Sequence, residues 1–233
     1  MQQQGFRWLT VIAGVFITSL IISNIIAVKM ISVWKMILPA GVILFPITYI
    51  FGDVLTEVYG YARARQVIWL GFFCNLLAVI AIWIAGMLPA AEFWRAGVFD
   101  NPSSAHDAYQ AILGFTPRLL VASFIAYLFG EFINSYVLAK LKIKTKGRFL
   151  WLRTIGSTVV GQGADSAIFI MIAFYGIFPL NAIGISILSQ WGFKVAYEAA
   201  ATPLTYMVVN KLKNLEQVDY MDIDTVFNPI IFK

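Results

Sequence analysis

Charge, sulfur and imidazole are all scarce in this sequence. Only 12% of its 233 residues are charged, against about 25% in an average soluble domain, while 60% are hydrophobic. An ordinary soluble enzyme is thereby excluded, and a mean hydropathy of +0.80 marks an integral membrane protein. A single cysteine, Cys74, forbids an internal disulfide, and a single histidine, His106, leaves too few nitrogen ligands for a typical zinc site. No metal and no cofactor are expected. There is no Gly-rich phosphate loop ending in Lys-Ser or Lys-Thr, which removes ATP hydrolysis by that route. The net charge of +5 does not signal nucleic acid, because in a chain this apolar the basic residues form the collar of a membrane protein.

What the sequence has instead is apolar runs, each near the roughly 20 residues that cross a bilayer. They lie at about 7–29, 40–59, 66–88, 117–139, 152–178 and 183–209. The fold class that follows is an all-α integral membrane protein of six transmembrane helices. Residues 1–212 form its membrane domain and 213–233 a polar cytoplasmic tail. The first run is too long for a signal-peptide core and lacks a small-residue cleavage site, so it is expected to remain as a helix. Between Pro89 and Thr116, Glu92, Arg95, Asp100 and Asp107 mark a polar excursion with room for a short interfacial helix. Pro46 and Pro203 fall within spans and are expected to kink or loosen them.

An even number of spans puts both termini on one side. Arg7, Arg63, Arg65, the basic run Lys140–Arg148, Lys211 and Lys213 gather there, so both termini are expected in the cytoplasm and the protein in the inner membrane. Arg153, at the start of the fifth span, reads as a snorkelling anchor.

The informative side chains are those that pay to be in lipid, where an ionised group at mid-membrane costs about 2.5 kcal/mol or more. The second span holds Asp53 and Glu57, the fourth Glu131 and Asn134, the fifth Gln162 and Asp165, and the sixth Gln190, Lys194 and Glu198. Spacings of three or four stack the members of each set on one helix face, so four polar stripes must converge on a shared interior. Lys194 is expected to pair with one of the acids. Tyr49, Tyr127, Trp191 and Tyr197 lie within reach of the stripes, and Asn24 and Asn75 are isolated amides suited either to helix-to-helix bonding or to ligand. Asp53 and Asp165 also invite comparison with intramembrane aspartyl proteases. The glycine motif Gly161-Gln162-Gly163-Ala164-Asp165 is off by one residue, and a glycine precedes Asp53 where that chemistry has a tyrosine.

The run FPITYIFGDVLTEVYGYARAR from Phe45 resembles the queuosine precursor transporter family, also called the vitamin uptake transporter family. So do GEFINSYVLAKLK from Gly130, WLRTIGSTVVGQGAD from Trp151 and FKVAYEAAATPLTY from Phe193. The resemblance implies import of 7-deazaguanine bases, such as queuine or its aminomethyl and cyano precursors. It also implies a six-helix fold similar to the substrate-binding S-components of energy-coupling-factor transporters. The family's polar motif positions correspond to Asp53, Glu57, Glu131, Asp165, Lys194 and Glu198, and Asn134, Gln162, Gln190, Tyr49 and Trp191 complete the candidate substrate site. Asp165 and Glu131 would recognise the donor edge of the base and Lys194 its carbonyl, while Asp53 with Glu57 would line the inner exit and are placed to carry a coupling proton. The Ala-x-x-x-Ala pattern with which S-components dock their partner is absent, Ala13 being followed four residues later by Ile17. Autonomous transport is therefore favoured over a binding subunit that depends on a separate ATP-driven module. The expected partners are a small-molecule deazaguanine and membrane lipid, with no nucleic acid and with a homodimer left open.

Overall fold

The computed structural model describes residues 6–33, 36–114 and 117–231. Its helices are α1 (Leu9–Ile26), α2 (Phe45–Tyr59), α3 (Tyr61–Met87), α4 (Pro102–Leu113), α5 (Pro117–Lys144), α6 (Leu150–Phe174) and α7 (Leu180–Glu216). Between α1 and α2 comes a short antiparallel hairpin, β1 (Met30–Val33) with β2 (Met36–Pro39), followed by a 3-10 turn at Ala40–Ile43. Nothing in the apolar run announced the hairpin. Among the described residues, Leu9–Ile26, Tyr61–Met87 and Leu150–Phe174 are long and apolar enough to cross a membrane, and a further such stretch includes α5.

Two helices depart from that simple pattern for physical reasons. Helix α2 has 15 residues, about 22 Å at 1.5 Å per residue and so short of a hydrocarbon core of roughly 30 Å. It packs against α1, α3, α5 and α7 at once and therefore buries nearly every side chain from Val54 to Tyr59. Helix α7 has ample length at 37 residues, but its polar stripe lowers its mean hydropathy. Pro46 occupies the first turn of α2, where its missing N–H costs nothing, so the expected kink within a span does not arise there; Pro203 does lie inside α7. Leu70, Phe73, Leu77 and Trp83 of α3 face outward, while the polar side chains of α2, α5, α6 and α7 are turned in. The amides Asn24 and Asn75 join α1 to α3, Nδ2 of the first donating to Oδ1 of the second at 3.1 Å.

Helices α5 and α6 approach closely because glycine stands at their crossing. A Cβ on Gly161 would lie 2.7 Å from the Asn134 Cβ and 2.9 Å from its backbone nitrogen, and one on Gly130 would lie 2.7 Å from the Asp165 Cβ. Gly161→Ala is thus expected to push the helices apart and cost about 1–3 kcal/mol, a lowering of the melting temperature in detergent by several degrees. An unchanged melting temperature would mean that this crossing is looser than described.

Both chain ends meet at one end of the bundle. The Trp8 amide donates to Glu216 at 2.6 Å, and beyond α7 the chain folds back over the α2–α3 corner. There the Tyr61 amide donates to the buried Asp222 carboxylate at 3.0 Å, which supplies the N-terminus of α3 with negative charge. The Tyr220 amide bonds the Val58 carbonyl, Arg65 donates to the carbonyls of Val226 and Asn228, and Trp69 donates to that of Pro229. The corner turns on Gly60 alone, at φ +83°, where a Cβ would also strike the Tyr220 ring at 2.3 Å. Helix α4 lies at the other end, capped by the Asn101 side chain at 2.8 Å and tied to α3 through Tyr109, whose hydroxyl donates to Ile82 at 3.0 Å.

Candidate functional site

The four stripes form a polar column of three levels. On α2 its members are Tyr49, Asp53 and Glu57, each about 6 Å above the next at four residues per step. On α7 they are Gln190, Lys194 and Glu198; on α5, Glu131, Asn134 and Lys142; on α6, Asp165, Gln162 and Arg153.

At the first level Lys194 donates to the Asp165 carboxylate and pairs with the Tyr49 phenol. Glu131 is close enough to act on this pair electrostatically, and its Oε2 lies 3.4 Å from where a Cβ on Gly52 would be. Lys194 is buried, but the Asp165 side chain is 20% exposed, so this level is less sealed than the second, where Asp53 and Glu198 are buried. The expected partner of Lys194 is thereby identified.

At the second level the Asn134 amide donates to Asp53 Oδ1 at 2.8 Å. The remaining oxygens, Asp53 Oδ2, Asn134 Oδ1 and both carboxylate oxygens of Glu198, are buried without a hydrogen-bond partner. Glu198 is 0% exposed, and among charges it acts most strongly on Asp53.

The third level is an ionic knot. Arg153 forks onto Glu57, Nη2 to Oε1 at 2.7 Å and Nε to Oε2 at 3.1 Å, and Lys213 reaches the same Oε1 at 2.7 Å. Lys142 donates to the Glu57 carbonyl at 2.5 Å, to Asp219 at 2.5 Å and to the Tyr220 carbonyl at 2.7 Å. Arg153 is 1% exposed and also donates to the Arg148 carbonyl, which corrects the reading of it as a snorkelling anchor. The cause is Glu57: a fully buried carboxylate one helix away outweighs the interface as a partner. Lys142, one of the basic run, is likewise drawn inward rather than left at the surface.

Asp219 ties the tail to this knot. Partial burial raises its pKa, but hydrogen bonds from Lys142 and Lys213 outweigh that and hold the carboxyl below the usual carboxylate range. A depressed folded-state pKa contributes stability that is present above the ordinary value near 4 and is lost as pH falls through the lower, folded one. Hydrogen exchange at the Tyr220 amide, taken relative to the unstructured rate at the same pH, is expected to accelerate below about pH 4 in the wild type. In Asp219→Asn it should already be fast at neutral pH.

The other predicted site residues are distributed around the column. Gln162 is buried on α6, and Gln190 Oε1 is buried without a partner one turn from Lys194. The Trp191 indole donates to the Val159 carbonyl at 2.9 Å and packs against Gly163. Tyr127 donates to the Ile68 carbonyl at 3.0 Å, a helix-to-helix bond. A cavity of about 430 Å³ lies elsewhere, lined by Trp69, Phe132, Tyr136 and Phe227, and touches none of the polar levels. Glu57 stands apart from the upper acids because its carboxylate is engaged by three cations, Arg153 and Lys213 at 2.7 Å and Lys142 at 3.6 Å. Sequence reasoning missed Arg153 and Lys142 as interior groups, although each continues its helix's stripe at the same spacing.

Comparison with known proteins places these residues in context. The sequence pattern of a family described as "Putative vitamin uptake transporter" matches residues 39–208. The chain is 30% identical over 198 residues to the "Probable queuosine precursor transporter" of Bacillus subtilis, covering 84% of this chain and 82% of the relative. It is 25% identical over 168 residues to the "Queuosine precursor transporter" of Escherichia coli, covering 72% and 68%. No solved structure matches it.

Proposed function

Since the chain belongs to the vitamin uptake transporter family, whose members are transporters and not enzymes, we propose that it imports queuosine precursors, the 7-deazaguanine bases, across the inner membrane with both termini in the cytoplasm. The observation that carries this reading is the first level of the column, where Tyr49, Glu131, Asp165 and Lys194 bring two carboxylates, an ammonium and a phenol together between the helices. A deazaguanine edge presents a ring N–H and an exocyclic amine that one carboxylate accepts together, and a carbonyl that takes a donor such as Lys194. The Tyr49 ring offers a face for stacking. The accessible Asp165 and the sealed Glu57 mark the two ends of an alternating-access path, with substrate entering at the first level and the ionic knot closing the inner exit. Glu57 serves that closure rather than substrate contact.

The test is the thermal stability of the detergent-purified protein against queuine, the aminomethyl and cyano deazaguanines, guanine, biotin and riboflavin. A ligand at 100 times its Kd adds about 2.7 kcal/mol. Stabilisation confined to deazaguanines is expected, and stabilisation by biotin or riboflavin instead would discard this substrate. Uptake into proteoliposomes without ATP is also expected; uptake that requires an added ATP-driven module would make the chain a binding subunit.

A further inference from the structure

The second level has no part in the recognition just described, and its chemistry is one-sided. Asp53 Oδ2, Asn134 Oδ1, Glu198 Oε1 and Glu198 Oε2 are four oxygen acceptors, all buried and all without a donor. The assignment of the amide is fixed by its other end, since Asn134 Nδ2 is spent on Asp53 Oδ1. Every charged group that faces this level is accounted for. Glu131 of α5 and Glu57 of α2 act on Asp53 with the same sign as Glu198 of α7. Lys194 of α7 is committed to Asp165 of α6, and Arg153 of α6 to Glu57. Helix α1 brings no charged side chain, and α3 carries none between Gln66 and Met87.

Two carboxylates and an amide with four oxygens left unpaired are costly to bury unless a cation is held there. The geometry points to a monovalent cation site, for H⁺ or Na⁺, formed by Asp53, Asn134 and Glu198 and coupled to the substrate level above it and the inner closure below it. Coupling is built into two helices: Asp53 stands midway between Tyr49 and Glu57 on one face of α2, and Glu198 lies one turn from Lys194 on α7. A proton would bind Glu198 or Asp53 and let the pair share it; Na⁺ would be ligated by the same oxygens. Either ion would enter with substrate at the first level and leave to the cytoplasm when the Glu57 knot opens, one ion accompanying each base.

This inference rests on the transporter reading, and the experiment separates the two. Proteoliposomes are given tritiated queuine under an imposed pH gradient, an imposed Na⁺ gradient or neither. One gradient is expected to drive accumulation at least tenfold above equilibration, and which one does so identifies the ion. Glu198→Gln, with Asp53→Asn as the second variant should the first fail to fold, is expected to lose gradient-driven accumulation, and accumulation in the folded variant that still follows the gradient overturns the site. Wild-type uptake that only equilibrates under both gradients, with counterflow intact, overturns the cation site and leaves the transporter reading standing. Absent counterflow overturns the transporter reading, and the cation site is then decided without substrate. Dicyclohexylcarbodiimide, which attacks protonated carboxyls in apolar surroundings, should label Glu198 or Asp53 in a manner suppressed by Na⁺ or by rising pH. Absent labelling, or labelling indifferent to both, overturns the site.

Discussion

Arg153→Met is expected to destabilise the folded protein by about 3–5 kcal/mol, the usual cost of removing one partner from a buried ion pair. On a chain of this size that lowers the melting temperature on the order of 10 °C. The guanidinium is 1% exposed and forks onto Glu57, which is 0% exposed, so methionine replaces the volume but leaves the carboxylate with Lys213 and the more distant Lys142. Glu57→Leu is expected to cost at least as much, because Lys142 and Lys213 would then share only Asp219, which is 53% exposed, and the buried Arg153 would lose its carboxylate. Arg153→Lys keeps the charge and loses the fork, and should fall between methionine and the wild type. Thermal unfolding in one detergent across the three variants measures all of this. A melting temperature for Arg153→Met within about 3 °C of the wild type would return Arg153 to the interface as an anchor. In the proposed path the knot closes the inner end, so Arg153→Lys should shift the equilibrium toward the inward-open state.

The six-helix organisation and the polar column were legible in the sequence for the same reason. A charge inside an apolar run is so costly that its position constrains the fold, and Asp53, Glu131, Asp165 and Glu198 could not all be satisfied unless α2, α5, α6 and α7 met. The stripes were followed only where they ran through apolar sequence. On α6 steps of four run from Asp165 through Gly161 and Ser157 to Arg153, and on α5 from Asn134 through Leu138 to Lys142, but at those positions a basic residue near a helix end looks like every other member of a basic collar. What separates them is the tertiary position of Glu57, which no local pattern reveals. The tail was opaque for a related reason. Asp219, Tyr220 and Asp222 form a polar segment of the kind that stays solvated, and only the free N-terminus of α3 and the excess of cations around Glu57 give it somewhere to bind. The β1–β2 hairpin carried no signal at all, since a short apolar run reads equally as strand or buried helix.

Asp165→Asn should weaken deazaguanine binding by at least about 30-fold, as truncating one member of a buried hydrogen-bonded charge pair costs about 2–5 kcal/mol of affinity. The fold should survive, because Asp165 is the accessible member of the first level and an amide oxygen still accepts from Lys194. Lys194→Gln keeps a donor for the base carbonyl and should lose about tenfold, whereas Lys194→Met removes it, leaves Glu131 beside Asp165 with no cation between them, and should lose as much as Asp165→Asn. Binding measured by ligand-induced stabilisation, with each variant's own melting curve as reference, separates loss of affinity from loss of fold. Retained binding in Asp165→Asn would end its assignment to the donor edge. The side chain of the ligand then resolves what Asp165 does. An aminomethyl deazaguanine is a cation and the cyano compound is not, so a carboxylate that reads only the ring edge loses both equally, while one that also draws in the ammonium loses the aminomethyl compound further. Since Lys194 already neutralises Asp165 in the unliganded protein, equal losses are expected there, and the additional attraction for cationic precursors should instead disappear in Glu131→Gln, the one first-level carboxylate without a lysine of its own.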